Sequence, residues 1–275
     1  MARLPPGAPV RGGAGVPAAR APLRRRGGGR GVGVTSKGAL YRDHGIVLRT
    51  YKLGEADRII VFATEHHGKV RAVAKGVRKT RSKFGSRLEP TSHVALQLYQ
   101  GRELDIVTQA ESVDHFRPIR EDLDRFGRAV AMLEAVDQMA MEREDNPRLY
   151  QMLLGALRSL AAHDSPLVVA GFYWKLLAQE GFRPELDVCV SCGEDAELVA
   201  FDLMEGGTLC RVCRSGVPIS PGALEVMRRI LGGQLATALA EPESDLTREV
   251  DHLAARAMEH HIERRLRSVG LLDRG

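Results

Sequence analysis

Residues 57–77 read DRIIVFATEHHGKVRAVAKGV. Two short, β-branched, apolar runs, 57–64 and 69–77, are parted by turn residues, and the second alternates with period two. That is the pattern of paired strands, not of a helix. Working outward, the same pattern appears before them in HGIVLRT (44–50) and after them in SHVALQLYQ (92–100) and ELDIVTQAESV (103–113). Gln100-Gly101-Arg102 joins the last two runs as a hairpin connection. Val94, Leu96 and Leu98 fall on one face, and Leu104 and Ile106 are expected to join them across that hairpin. Five short strands between Tyr41 and Val113 predict a small barrel of the OB type, although an SH3-like barrel would read similarly.

The third strand carries the charge. Alternation puts Lys69, Arg71 and Lys75 on one face and Val70, Ala72 and Ala74 on the other. The loop that follows, RKTRSKFGSR (78–87), adds Arg78, Lys79, Arg81, Lys83 and Arg87, and no acid occurs between Lys69 and Arg87. A solvated face ordinarily mixes both signs, so a run this one-sided points to an acidic partner. Phosphate backbones are the commonest one. Phe84 and Tyr99 are candidates to stack on bases, against the plainer reading of each as core packing. With aromatics at 5% of the chain, backbone charge is expected to carry most of the affinity.

After Pro118 the period becomes 3.6. Leu123, Phe126, Val130 and Leu133 form one stripe, continued by Met139 and Ala140. Asn146-Pro147, Ser165-Pro166 and Ser220-Pro221 each pair a capping side chain with a proline that lacks the N–H left unpaired at a helix start. Gly181 with Pro184 closes the helix before it, and a last helix is expected from about Ser244 to Ser268, with Leu246, Val250, Leu253 and Ala257 on one face.

Within this helical half lie the chain's four cysteines: Cys189-x-x-Cys192, seventeen residues, then Cys210-x-x-Cys213. The spacing matches a four-thiolate structural zinc site, with Gly193, Gly206 and Gly207 suiting the turns. A redox Cys-x-x-Cys needs only one pair, at a helix start beside a strand, and neither pair has that setting, which leaves a redox pair or an iron–sulfur cluster as the lesser readings. Four thiolates fill a tetrahedral ion and leave no position for water. No His-x-Glu stands upstream of the cysteines as a base deaminase needs, and neither H-E-x-x-H nor G-x-S-x-G occurs. His66-His67 and His260-His261 read as surface residues, and Asp122 and Asp124 as helix-start acids. No catalytic residue is assigned.

A chain of 275 residues with a net charge of +5 holds two ordinary domains or one large one. It has no apolar run long enough to span a membrane and no secretory signal pattern, and its clustered cysteines suit a reducing cytoplasm. Lacking a G-x-x-x-x-G-K-[ST] motif, it is expected to bind no nucleotide. The organisation expected is a disordered basic Gly/Pro/Arg-rich extension (1–38), an OB-fold nucleic-acid-binding domain (39–115) and an α-helical domain (116–275) with an inserted zinc module (185–216), an α+β chain overall. The extension reads as a basic arm for nucleic acid, a transit peptide, or a tail from an upstream start site.

Two stretches, YRDHGIVLRTYKLGEADRIIVFATEHHGKVRAVAKGVRKTRSKFGSRLEP (41–90) and GFRPELDVCVSCG (181–193) with its later CRVC (210–213), resemble the RecO family of bacterial DNA repair proteins, which are recombination mediators. The resemblance runs from about Leu40 to the last helix. It implies an OB domain, a helical domain and a zinc module. It further implies binding to single- and double-stranded DNA, ATP-independent annealing of complementary strands, and help in loading the recombinase RecA on DNA coated with single-stranded DNA-binding protein (SSB). The partners implied are RecR, SSB and, downstream, RecA, in the cytoplasm and at the nucleoid during action. Some members lack the cysteines, so zinc is expected to be supporting. The other readings of the residues are an RNA-binding OB-fold and zinc protein, or a zinc-dependent nucleic-acid enzyme.

Overall fold

Why the first two strands carry unbroken apolar runs follows from what covers them. The computed structural model describes residues 38–195, 197–263 and Leu266; the basic extension expected at 1–38 lies outside them apart from Gly38. Strands β1 (Leu40–Leu53) and β2 (Asp57–Thr64) send Val47, Ile60 and Phe62 into one core and Ile46, Leu48, Val61 and Ala63 into another. Strands covered on both faces lose their alternation. A register shift between Val47 and Arg49 lets β1 turn its side chains outward at this point.

Strands β3 (Lys69–Ala74), β4 (His93–Tyr99) and β5 (Asp105–Asp114) close the barrel in the order β1-β2-β3-β5-β4. Pairing is antiparallel except between β3 and β5, and β1 is long enough to pair with β4 through its first half and β2 through its second. This is the OB arrangement. The face expected across the β4–β5 hairpin is displaced by one residue: Val107 and Ala110 enter the core, while Leu104 and Ile106 do not. Asp105 accounts for the slip. It is fully buried, where it accepts from the Tyr41 hydroxyl, from Gly101 N (2.9 Å) and from Arg143 Nη2 (2.8 Å).

The connection from β3 to β4 closes one end of the barrel. Val77, Phe84 and Leu88 drop into the barrel core, and the residues between them stay outside. At the other border the segment Met141–Arg143 lies along β3. Lys69 N donates to Met141 O (3.4 Å), Arg143 N donates to Lys69 O (3.0 Å), and Lys69 pairs with Glu142 in parallel. Gly68, at φ +62°, is required here, because a Cβ would stand 1.8 Å from Glu144 O.

The helices are α1 (Arg117–Arg120), α2 (Leu123–Met139), α3 (Pro147–Ala162), α4 (Val168–Gln179), α5 (Pro221–Leu231), α6 (Leu235–Leu239) and α7 (Asp245–His261). Asn146 and Ser220 cap α3 and α5 as expected, and Ser244 forms a capping box with Thr247 at the start of α7. Ser165 instead accepts from Leu167 N in a turn, and α4 starts at Val168. Gly181 (φ +93°) ends α4, its N–H on Ala178 O while Phe182 N reaches Leu177 O. The α2 stripe holds at Leu133, which is buried, and at Phe126, Met139 and Ala140, which pack against the core, but the buried face is wider than expected. Leu123 is 84% exposed, and Ala129, Met132, Leu133 and Val136 are buried. This helix packs on β1 as well as on α3 and α4, so its alanines rather than one stripe decide what fits. Helix α7 ends at His261, and the expected continuation to Ser268 lies, apart from Ile262, Glu263 and Leu266, outside the described residues.

Between α4 and α5 sit β6 (Leu198–Asp202), β7 (Gly207–Cys210) and β8 (Val217–Pro218), a sheet in the order β7-β6-β8. Leu198, Ala200, Phe201 and Leu209 join the helical core, and the Phe201 ring meets Trp174 edge-on at 5.7 Å.

Candidate nucleic-acid interface and metal centre

The capping loop sorts its residues by type. Its apolar members point into the barrel, which leaves the cations between them on the surface. The side chains of Lys75, Lys79 and Arg81 are exposed and have no hydrogen-bond or ion-pair partner among the described residues. Arg78 is tied to the β1–β2 turn, its Nη1 on Gly54 O (3.2 Å) and its backbone N on Ala56 O (2.9 Å). Lys83 donates to Thr108 O (2.9 Å), and Arg87 to Lys83 O (2.8 Å). These bonds are to neutral carbonyls, so the positive charge is held in place without being cancelled.

The other two cations named from the strand pattern stand differently. Lys69 is largely buried: its Nζ donates to Asp137 O (2.6 Å) and lies 3.7 Å from the Asp137 carboxylate. Arg71 pairs with Glu142 at 3.5 Å. Both alternate outward as expected, yet they face acids of the helical region at the border where it meets the barrel. Phe84 is 1% exposed in the barrel core, so its ring is closed to a base, and the Lys83 ammonium sits 4.9 Å from its centroid. Tyr99 is exposed. A further exposed ring that the sequence pattern does not single out is Tyr51, with the Arg49 guanidinium 4.9 Å from its centroid. The unbroken apolar run before it hides its place in the strand alternation, and only the pairing register restores it.

The four cysteine sulfurs come together, all within 4.8 Å of one another, with Cys189 and Cys210 buried. Cys192 and Cys210 Sγ are 3.8 Å apart. Sulfurs at the corners of a tetrahedron about 2.3 Å from a zinc ion would be separated by about 3.8 Å. Backbone amides aim at the sulfurs too. The N–H of Cys210, helped by those of Cys192 and Ser191, pulls the Cys189 thiol down to about 6. Cys192 is pushed up to about 12, because its neighbours Cys189, Cys213 and Cys210, with burial, outweigh the Glu194 amide that lowers it. Packed thiols thus compete against joint ionisation, and a divalent cation at their centre would remove that competition. The donor set fits a metal ion. Arg228 ties this segment to α5 through Asp187 Oδ1 (3.0 Å) and Leu186 O (2.7 Å).

A second group, Asp43, Glu65 and His66, also gathers within 4.8 Å. There the buried Asp43 carboxylate already accepts from His44 N (2.8 Å), His66 N (3.2 Å) and His67 Nδ1 (2.6 Å), which makes it a brace for the β2–β3 turn.

Two family models match the chain, "Recombination protein O N terminal" over residues 39–116 and "Recombination protein O C terminal" over residues 120–269. The chain is 41% identical over 242 residues to the DNA repair protein RecO of Thermobifida fusca (strain YX), covering 86% of this chain and 99% of that protein. The chain belongs to the RecO family. In this chain the two matched segments meet at α1, the short helix that leads from the barrel to α2. The basic loop falls within the N-terminal match and the four cysteines within the C-terminal one. RecO family membership therefore covers both candidate sites.

Proposed function

We propose that this chain is a DNA-binding recombination mediator in DNA repair, working by charge neutralisation rather than by a bond-making step. Lys75, Arg78, Lys79, Arg81, Lys83 and Arg87 contact phosphates of two strands and lower the repulsion between them, so that complementary bases pair without ATP. Each neutralised phosphate releases counterions, which makes binding steeply salt-dependent. On DNA coated with SSB the helical half engages SSB or RecR, and RecA loads downstream. The cysteines hold a structural zinc ion that fixes the β6–β8 segment against α4 and α5.

Supporting this reading are membership of the RecO family and the name of the Thermobifida fusca relative, a DNA repair protein. The observation that carries it is the acid-free loop whose cations are exposed and paired with no carboxylate among the described residues. The test is annealing of two complementary single strands precoated with SSB, without nucleotide, over a salt series. Annealing that weakens steeply with salt is expected. Binding without annealing would reduce the protein to a general OB-fold binder, and preference for RNA over DNA would move it to a different class.

A further inference from the structure

The strand register lines up one row of side chains around the outside of the barrel. Tyr51 pairs with Ile59, Ile59 with Val73, Val73 with Ile106, Ile106 with Tyr99, and Tyr99 with Leu40. Directly paired residues share a face, with side chains about 5 Å apart, so the row runs on without a break. Its residues are the exposed Leu40 (57%), Tyr51 (41%) and Tyr99 (37%) and the half-buried Ile59, Val73 and Ile106. The next outward row, Arg49–Val61–Arg71, is where the barrel meets the helical region, Arg49 pairing with Asp137 (2.7 Å) and Arg71 with Glu142 (3.5 Å). The Tyr51–Val73 row lies just beyond that border.

Resting on the DNA-binding reading above, we propose that this row is the seat for unstacked bases of single-stranded DNA, with Tyr51 as the principal stacking ring. Three observations select this occupant. First, the row is narrow where it crosses β3, although Leu53, also exposed, stands beside Tyr51 at its β1 end. Along β3 its member Val73 has Arg71 on one side and Lys75 on the other, each about 7 Å away. Such a strip is too narrow for an apolar helix face, and it suits flat bases flanked by a charged backbone. Second, the acid-free loop is fastened beside the Tyr51 end through Arg78 to Gly54 and Ala56. Third, the Arg49 guanidinium already rests on the Tyr51 ring, which leaves the other side of that ring for a base. A duplex keeps its bases stacked inside and offers only phosphates. The loop then serves both forms of DNA, whereas the row serves single strands alone.

The experiment measures affinities of the full chain for an oligothymidylate and for a duplex of the same length, over a salt series. Variants are Tyr51→Ala, Tyr51→Phe and the triple charge reversal Arg78→Glu, Lys79→Glu, Arg81→Glu. Tyr51→Ala is expected to weaken single-strand binding roughly five- to hundredfold, to leave duplex binding within about twofold, and to leave the slope of log affinity against log salt unchanged. Tyr51→Phe keeps the ring and behaves as the parent. Unchanged single-strand affinity in Tyr51→Ala would overturn the proposal, as would an equal loss on both substrates. In either case the triple reversal still reports on the loop, and its failure to weaken binding to either substrate would overturn the DNA-binding reading itself. Thermal melting separates a folding defect from a binding one, and Tyr51→Ala, at an exposed site, is expected to melt with the parent.

Discussion

Phe84 stands among cations and is nonetheless a core residue, and that difference can be measured. Phe84→Ala removes one of three side chains that close the barrel end, so it is expected to cost about 3–5 kcal/mol of stability in denaturant unfolding. A base-stacking ring would instead lose DNA affinity at unchanged stability. His93 offers a second test at this scale. It is buried with its Nε2 2.8 Å from the Tyr150 hydroxyl, and burial, with the neighbouring His44 and Arg158, lowers its pKa against the opposing pull of Asp114 and Glu65. Its folded pKa lies below the ordinary 6.5, so the unfolded chain binds the proton first. The His93 contribution is therefore complete above about pH 6.5 and falls as pH drops through and below that value. His93→Gln is expected to flatten the melting-temperature profile over that range. An unaltered profile would show that this imidazole does not govern it.

At the scale of elements, the β3–β4 loop is built from two interleaved sets of residues, which makes charge and stability separable. The triple reversal at Arg78, Lys79 and Arg81 touches the outward set and removes one exposed hydrogen bond, Arg78 Nη1 to Gly54 O, so its melting point is expected to stay within about 2 °C of the parent. A large drop would mean that the loop conformation depends on those cations. For the β6–β8 segment the expectation is opposite. Cys189→Ser is expected to abolish stoichiometric zinc and lower the melting midpoint by about 5–10 °C. Equal melting with and without metal would argue against a structural ion. The elements themselves were legible in the sequence: strand alternation, cap-proline pairs and cysteine spacing are local signals. The misplaced parts were not local. Leu104 and Ile106 yield the core to Val107 because a buried Asp105 answers Tyr41 and Arg143, which are remote in the chain. Leu123 is exposed at the first position of α2, and Lys69 is spent on Asp137, 68 residues away. Tyr51 became visible only through the register.

At the scale of the whole molecule, Ile46, Leu48, Val61 and Ala63 of the barrel belong to the same core as the helices. Barrel and helices are therefore expected to unfold together. Fluorescence of Trp174, the chain's single tryptophan, reports on the helical core, and a probe attached to the barrel should trace the same transition. Two separated transitions would mean that the shared core is not cooperative. Making the barrel depend on the helices also has a consequence in time. The outer side of β3 at Lys69 is completed by Glu142, which is synthesised 73 residues later. At about 5–20 residues per second, a ribosome takes about 4–15 s to supply it. For that interval the nascent barrel carries an unpaired position at Lys69 and four uncovered apolar side chains, features that invite contact with another chain. The stretch of synthesis between β3 and α3 is thus when the barrel's helix-facing side stands uncovered.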